Sequence, residues 1–325
     1  MNFMGTTSNH GGLLSFEPTR ALNKWGFISK SWNNRNYPPF FHPESIEELM
    51  LNWETGPNDI FICTHQKVGT HLTKKYVVEL LRHCRLHGPE HGISTGDIGH
   101  GTVSWPEVYV SQHGKEAFYE KLASDYNVPR LWYTHCSVHD LPFKSVHQKT
   151  KFIHVFRDPR GAVVSQYHFY RSHPMLGVSQ DLDLDTFIDL FLEGSLYFGD
   201  YFRHTTEWSF YSNGSIAPEN ILSLRYEDLV DNKRESLEKI AGFLFPELVL
   251  DDESVNSIIE STEFNTMKKE ISNNPQSFHF NPDKFFREGK SLGWRDTLSY
   301  EQQDRICSVA KEKWGAHSGE FMALV

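Results

Sequence analysis

The chain has 325 residues, 32 Lys and Arg against 42 Asp and Glu, a net charge of −10 and a mean hydropathy of −0.50. That balance disfavours nucleic acid or a sulfated polysaccharide as partner, because a polyanion calls for a basic face. No apolar run is long enough to span a bilayer, and the opening MNFMGTTSNHGG lacks the cationic and apolar regions of a secretory signal.

Residues 1–40, with Gly, Asn, Ser and Pro and little periodicity, read as a partly ordered N-terminal arm, and 41–325 as the folded domain. A short helix is expected near Ile46 to Trp53, then a turn at Gly56-Pro57-Asn58. Ile60 to Thr64 reads as a buried strand. The segment from Thr70 to about Arg85 reads as a helix, with Leu72, Tyr76 and Leu80 at four-residue spacing. Gly88 to Gly101 is predicted to be a long loop. Further strands are expected at Arg130–Thr134, Phe152–Phe156 and Ile221–Leu224, with helices near 160–171, 184–193, 197–211, 233–244, 252–261 and 300–314. Strands alternating with helices predict a single α/β domain, its central sheet mainly parallel and flanked by helices. Cys63, Cys84, Cys136 and Cys307 are far apart and without CxxC spacing. They read as free thiols of a protein from a reducing, cytoplasmic compartment.

Two strand-to-helix corners carry the chemistry. A buried strand that runs into a helix N-terminus is where α/β folds place anions. Lys67-Val68-Gly69-Thr70-His71 follows the first strand: Gly69 permits a close turn, helix-start N–H groups supply donors, and Lys67 adds a charge. The GxxxxGK[ST] phosphate loop is absent. Arg157 ends the strand at Phe152–Phe156, and Ser165 lies about two helical turns on. His135, at the end of the strand Arg130–Thr134, faces the ligand crevice expected of such sheets and suits a general base. His83, Cys84, His87 and His91 are more simply read as a solvated helix end than as metal ligands, so no metal is expected.

In order along the chain, THQKVGTHL (64–72), YTHCSVHDLP (133–142), RDPRGAVVSQYHF (157–169), SLRYEDL (223–229), STEFNTMKKE (261–270) and FFREGKSLGWR (285–295) resemble the motifs of the cytosolic-type sulfotransferases. That family uses 3′-phosphoadenosine-5′-phosphosulfate (PAPS) and has a P-loop-NTPase-like fold. The resemblance implies that Lys67 contacts the bridging oxygen and the leaving phosphate. Gly69, Thr70 and His71 would serve the 5′-phosphate, and His135 would be the general base. It also implies that Arg157 and Ser165 hold the 3′-phosphate, with Arg287, Glu288 and Gly289 closing over it. Tyr226, Thr262 and Phe264 would bound the adenosine.

Several positions depart from the family pattern. Leu72 stands where an adenine-stacking Trp is usual, Val68 where Ser is, and Tyr133 and Glu288 where Lys is common. A dimer motif survives only as Arg295, Ser299-Tyr300 and Asp304, so a monomer or weak homodimer is expected. Trp105, Tyr109, Phe143 and Tyr170 are candidates for the acceptor mouth, suited to a neutral or cationic small organic molecule such as a natural-product alcohol, phenol or amine. The expected reaction is in-line transfer of a sulfuryl group from PAPS to a hydroxyl or amine. The rival readings are a catalytically weak protein that binds the product nucleotide PAP, and a P-loop-related nucleotide kinase.

Overall fold

The computed structural model describes residues 20–84, 105–124, 129–211, 214–273 and 289–322. A short helix, α1 (Arg20–Lys24), precedes a hairpin of β1 (Lys30–Trp32) and β2 (Arg35–Tyr37). Leu22, Phe27 and Tyr37 from this stretch are buried in the main core, so residues 20–40 pack with the domain. Then come α2 (Pro43–Asn52), β3 (Asp59–Thr64), α3 (Thr70–His83) and α4 (Pro106–Ser124). They are followed by β4 (Arg130–Thr134), β5 (Lys151–Phe156), α5 (Pro159–Ser172), α6 (Leu184–Leu192) and α7 (Tyr201–Ser209). The last strand, β6 (Ile221–Arg225), leads to α8 (Tyr226–Asp231), α9 (Lys233–Leu244), α10 (Asp252–Ser261), α11 (Phe264–Asn273) and α12 (Tyr300–Trp314).

The central sheet has the order β4-β3-β5-β6, with every pairing parallel. Side chains alternate across it, as a two-residue period requires. Ile60, Ile62, Leu131, Tyr133, Ile153 and Val155 join the core under α3 and α5. On the other face Phe61, Cys63, Trp132 and Phe152 pack with Trp53, Phe118 and Trp208. A sheet covered on both faces explains the near-continuous apolar strands. The carboxyl ends of β3, β4 and β5 therefore open at one edge, beside the helix starts of α3 and α5.

The expected strands and helices are present; the helices α1, α4, α8 and α11 and the β1–β2 hairpin were not foreseen in the sequence. α4 is interrupted at Gly114 (φ 84°), which bends it and breaks its periodicity. The expected loop at 88–101 lies outside the described residues, as do His87 and His91. All four cysteines are free. Among the described residues no three metal-ligating side chains cluster, and no helix is long and apolar enough to cross a membrane.

Candidate functional site

A cavity of about 480 Å³ opens at the carboxyl edge of the sheet. The β3–α3 corner contributes Lys67, Gly69, Thr70, His71 and Leu72 to its wall. The backbone there is shaped for close approach: Lys67 sits at φ 64°, and Gly69 caps α3 at φ 120°. A Cβ on Gly69 would stand 2.9 Å from the Tyr226 ring. No side chain caps α3, so its N-terminal dipole is left for a ligand. Thr70 is tied back to Thr64 by a hydroxyl–hydroxyl bond of 2.7 Å. The Lys67 ammonium lies 4.8 Å from the Phe169 ring centre. Burial, helped by the Arg157 charge, lowers it from the usual lysine value to about 7.

β4 delivers His135 to the same cavity. Its Nδ1 lies 2.8 Å from the Thr64 carbonyl oxygen. A carbonyl can only accept, so Nδ1 carries the proton and Nε2 is the basic atom. Burial is the main reason its basicity falls to about 3, with Lys74 and Lys67 adding to the effect, while the Thr64 bond works the other way. The ring is thus neutral at physiological pH. Buried Glu107 on α4 braces it from behind, accepting from the Thr134 hydroxyl at 2.6 Å and the Cys136 thiol at 3.3 Å, on either side of His135.

The β5–α5 corner is built differently from the expectation. Asp158 caps α5, accepting from the Arg160 N–H at 2.9 Å, and pairs with the Arg160 side chain at 2.6 Å. The helix end is therefore already occupied by a carboxylate. What this corner and its helix bring to the cavity is Arg157 and, further along α5, Ser165 and Phe169. The Arg157 guanidinium lies 4.1 Å from the Tyr226 ring centre and donates to the carbonyls of Lys67 (3.3 Å) and Lys290 (3.4 Å). Its Nε is buried with no hydrogen-bond partner among the described residues. A buried unpaired donor on a cation, next to a glycine cradle, fits an incoming phosphate.

A sulfotransferase-domain family model matches residues 57–317. The chain belongs to the sulfotransferase family. It is 29% identical over 272 residues to sulfotransferase 1A1 of Canis lupus familiaris, covering 82% of this chain and 86% of that protein. It is 26% identical over 281 residues to a 3-beta-hydroxysteroid sulfotransferase of Cavia porcellus, covering 85% and 91%. Mouse sulfotransferase SULT7A1, solved with PAP, shares the fold at a TM-score of 0.69, with 23% identity and 89% and 94% of the two chains covered.

In this sulfotransferase the later predicted residues also converge. Tyr226, Thr262, Phe264 and Gly289 line the cavity. Gly289, at φ 64°, presses its backbone on the Phe264 ring, where a Cβ would stand 2.2 Å away. Arg287 and Glu288 lie outside the described residues. Leu72 joins Phe264 and Met267 in a small apolar group on the wall.

Of the four acceptor candidates only Trp105 reaches the cavity, its ring 5.0 Å from that of His135. Tyr109 is a correction: three residues into α4 it has turned to Phe118 and His113, while Val108 faces the cavity. Phe143 packs on the opposite face of the sheet, against Trp53, Phe61 and Phe152. Tyr170 is fully buried and donates its hydroxyl to Gln66, which does line the cavity. Sequence reasoning missed Phe40, Phe169, Lys233 and Lys290, all on the wall. Phe169 and Lys290 carried a signal, standing in the RDPRGAVVSQYHF and FFREGKSLGWR motifs.

Proposed function

We propose that this sulfotransferase takes PAPS as donor and passes its sulfuryl group to a hydroxyl or amine of a small, neutral or cationic organic acceptor, with His135 as general base. The observation that carries this reading is the His135 ring, neutral, held by Thr64, and facing a cavity walled by Lys67. PAPS supplies an activated sulfuryl group: the acceptor oxygen or nitrogen bonds to sulfur as the bond from sulfur to the phosphate oxygen breaks. His135 Nε2 takes the acceptor's proton. Lys67 and the start of α3 meet the charge left on the phosphate, where preorganised donors are worth most. Arg157 and Ser165 hold the 3′-phosphate. Leu72, Met267 and Phe264 would flank the adenine, one ring and two aliphatic chains in place of a Trp.

The acceptor end supports a flat or elongated apolar molecule, with Phe40, Trp105, Val108, Phe169 and Met175 on the wall. One solved relative in fold, a retinol dehydratase, was crystallised with androsterone and PAP. The test is sulfate transfer from PAPS to 2-naphthol, to a 3-hydroxysteroid and to a primary arylamine, beside titration with PAP. Tight PAP binding with no transfer to any probe would favour a nucleotide-binding role without turnover.

A further inference from the structure

α3 carries two adjacent lysines that the fold treats oppositely. Lys75 is ion-paired, at 2.8 Å from Glu79 and 2.9 Å from Glu270. Lys74 is only 1% exposed and makes no hydrogen bond or ion pair among the described residues. Among the described residues its partner is the Tyr133 ring, whose centre lies 4.3 Å from the ammonium. A buried ammonium loses hydration, and this one also sits near the positive end of its own helix. One aromatic face offsets only part of that cost. An uncompensated cation of this kind fits a place where negative charge arrives with a ligand.

The surroundings say where. Tyr133, the ring beneath Lys74, lines the cavity, and its centre is 6.0 Å from that of His135. Lys74 lies one turn past Thr70, at the helix start that serves the 5′ end of the donor. Its charge reaches His135, where it helps to suppress protonation. Burial also lowers the Lys74 ammonium itself to about 7, so an anion nearby would restore its full charge.

We propose that Lys74 is a positioning cation of the donor site, held behind Tyr133 so that its field stabilises the 5′-phosphosulfate end of the nucleotide. It rests on the donor reading above and adds to it a residue that the cavity wall does not contain.

PAP and adenosine 3′-monophosphate differ only in the 5′-phosphate, so the ratio of their dissociation constants isolates that group. Lys74→Met keeps the side-chain length and removes the charge. The variant should keep or raise its Tm, because a buried unpaired charge has gone. It should bind adenosine 3′-monophosphate as the wild type does and lose about tenfold of the preference for PAP. Lys74→Gln should repeat the loss if the Met variant folds poorly. A preference for PAP kept within about twofold of wild type in the folded variants would overturn the proposal. So would a lower Tm with both nucleotides weakened alike, which would make Lys74 a packing residue. A wild-type protein that binds neither nucleotide would instead refute the donor reading itself.

Discussion

β3 and β5 are neighbours in one sheet, and each runs into a helix at a basic residue, yet the two corners offer an anion different things. After β3 the backbone supplies the site: Lys67 and Gly69 take left-handed conformations, and α3 starts without a side-chain cap. After β5 the helix start is closed, because Asp158 caps it and Pro159 brings no N–H. What faces the cavity is a side chain, Arg157, seated on Tyr226. The same strand–helix signature thus hides two kinds of binding. The first corner, beside His135, should govern turnover. The second should govern affinity for the 3′-phosphate.

The largest effect should come at the first corner. His135→Ala is expected to cut kcat by about 10²-fold or more while leaving PAP affinity within about a few-fold. Steady-state kinetics with PAPS beside a PAP titration checks both halves. A near-normal kcat would remove His135 from the chemistry.

Next comes Arg157→Ala. Loss of hydrogen bonds from a charged donor should weaken PAP by about 10- to 100-fold. Adenosine 5′-phosphosulfate, which lacks the 3′-phosphate, should bind the variant much as it binds wild type. Equal weakening of both nucleotides would mean that Arg157 serves the 5′ end, and the division of labour between the corners would fail.

How much of this was legible beforehand depends on whether neighbours in sequence are neighbours in space. β3, β4 and β5 were readable because they are buried on both faces, and Arg130–Thr134 matches to the residue. The corners were readable because each is a contiguous motif. The closure of α5 was not foreseen, although Asp158 stands in the motif, because its pairing with Arg160 and its cap are matters of conformation. α4 escaped because Gly114 bends it and because its Glu107 is buried, against the usual sign of a glutamate. Tyr109 was misplaced for the same reason: without the helix, nothing said that it turns away from Val108. Lys74 carried no signal in the sequence, and only the tertiary packing of β4 shows its ring partner.

A smaller effect should appear with pH. Burial and Arg157 hold Lys67 near 7 in the free protein, and a bound phosphate would raise it toward the ordinary lysine value. Binding then takes up a proton above pH 7, and the free energy of binding becomes less favourable as pH rises. For one ammonium, PAP affinity should fall about fivefold between pH 7 and 8. Calorimetry in two buffers of different ionisation enthalpy should register the uptake, and Lys67→Met should lose that share of it. A pH-independent affinity would show that Lys67 keeps its charge in the free protein and that the first corner is already set for its anion.

The smallest effect tests the second corner by position alone. Gly161 is the third residue of α5, and a Cβ there would stand 2.7 Å from the Arg157 Nε and 3.2 Å from its central carbon. The guanidinium lies across the gap that this glycine leaves. Alanine suits a helix interior better than glycine by about 1 kcal/mol, so Gly161→Ala should keep or raise Tm. It should also push Arg157 off its seat and weaken PAP by about three- to tenfold, a fraction of a charged hydrogen bond. Adenosine 5′-phosphosulfate should be unaffected. Gly69→Ala provides the contrast: at φ 120° and 2.9 Å from Tyr226 the methyl strains the backbone itself, so stability and binding of both nucleotides should fall together. If Gly161→Ala instead binds PAP normally, Arg157 can reach the 3′-phosphate from more than one pose. The second corner would then work by charge alone, and only the first would demand exact placement of its atoms.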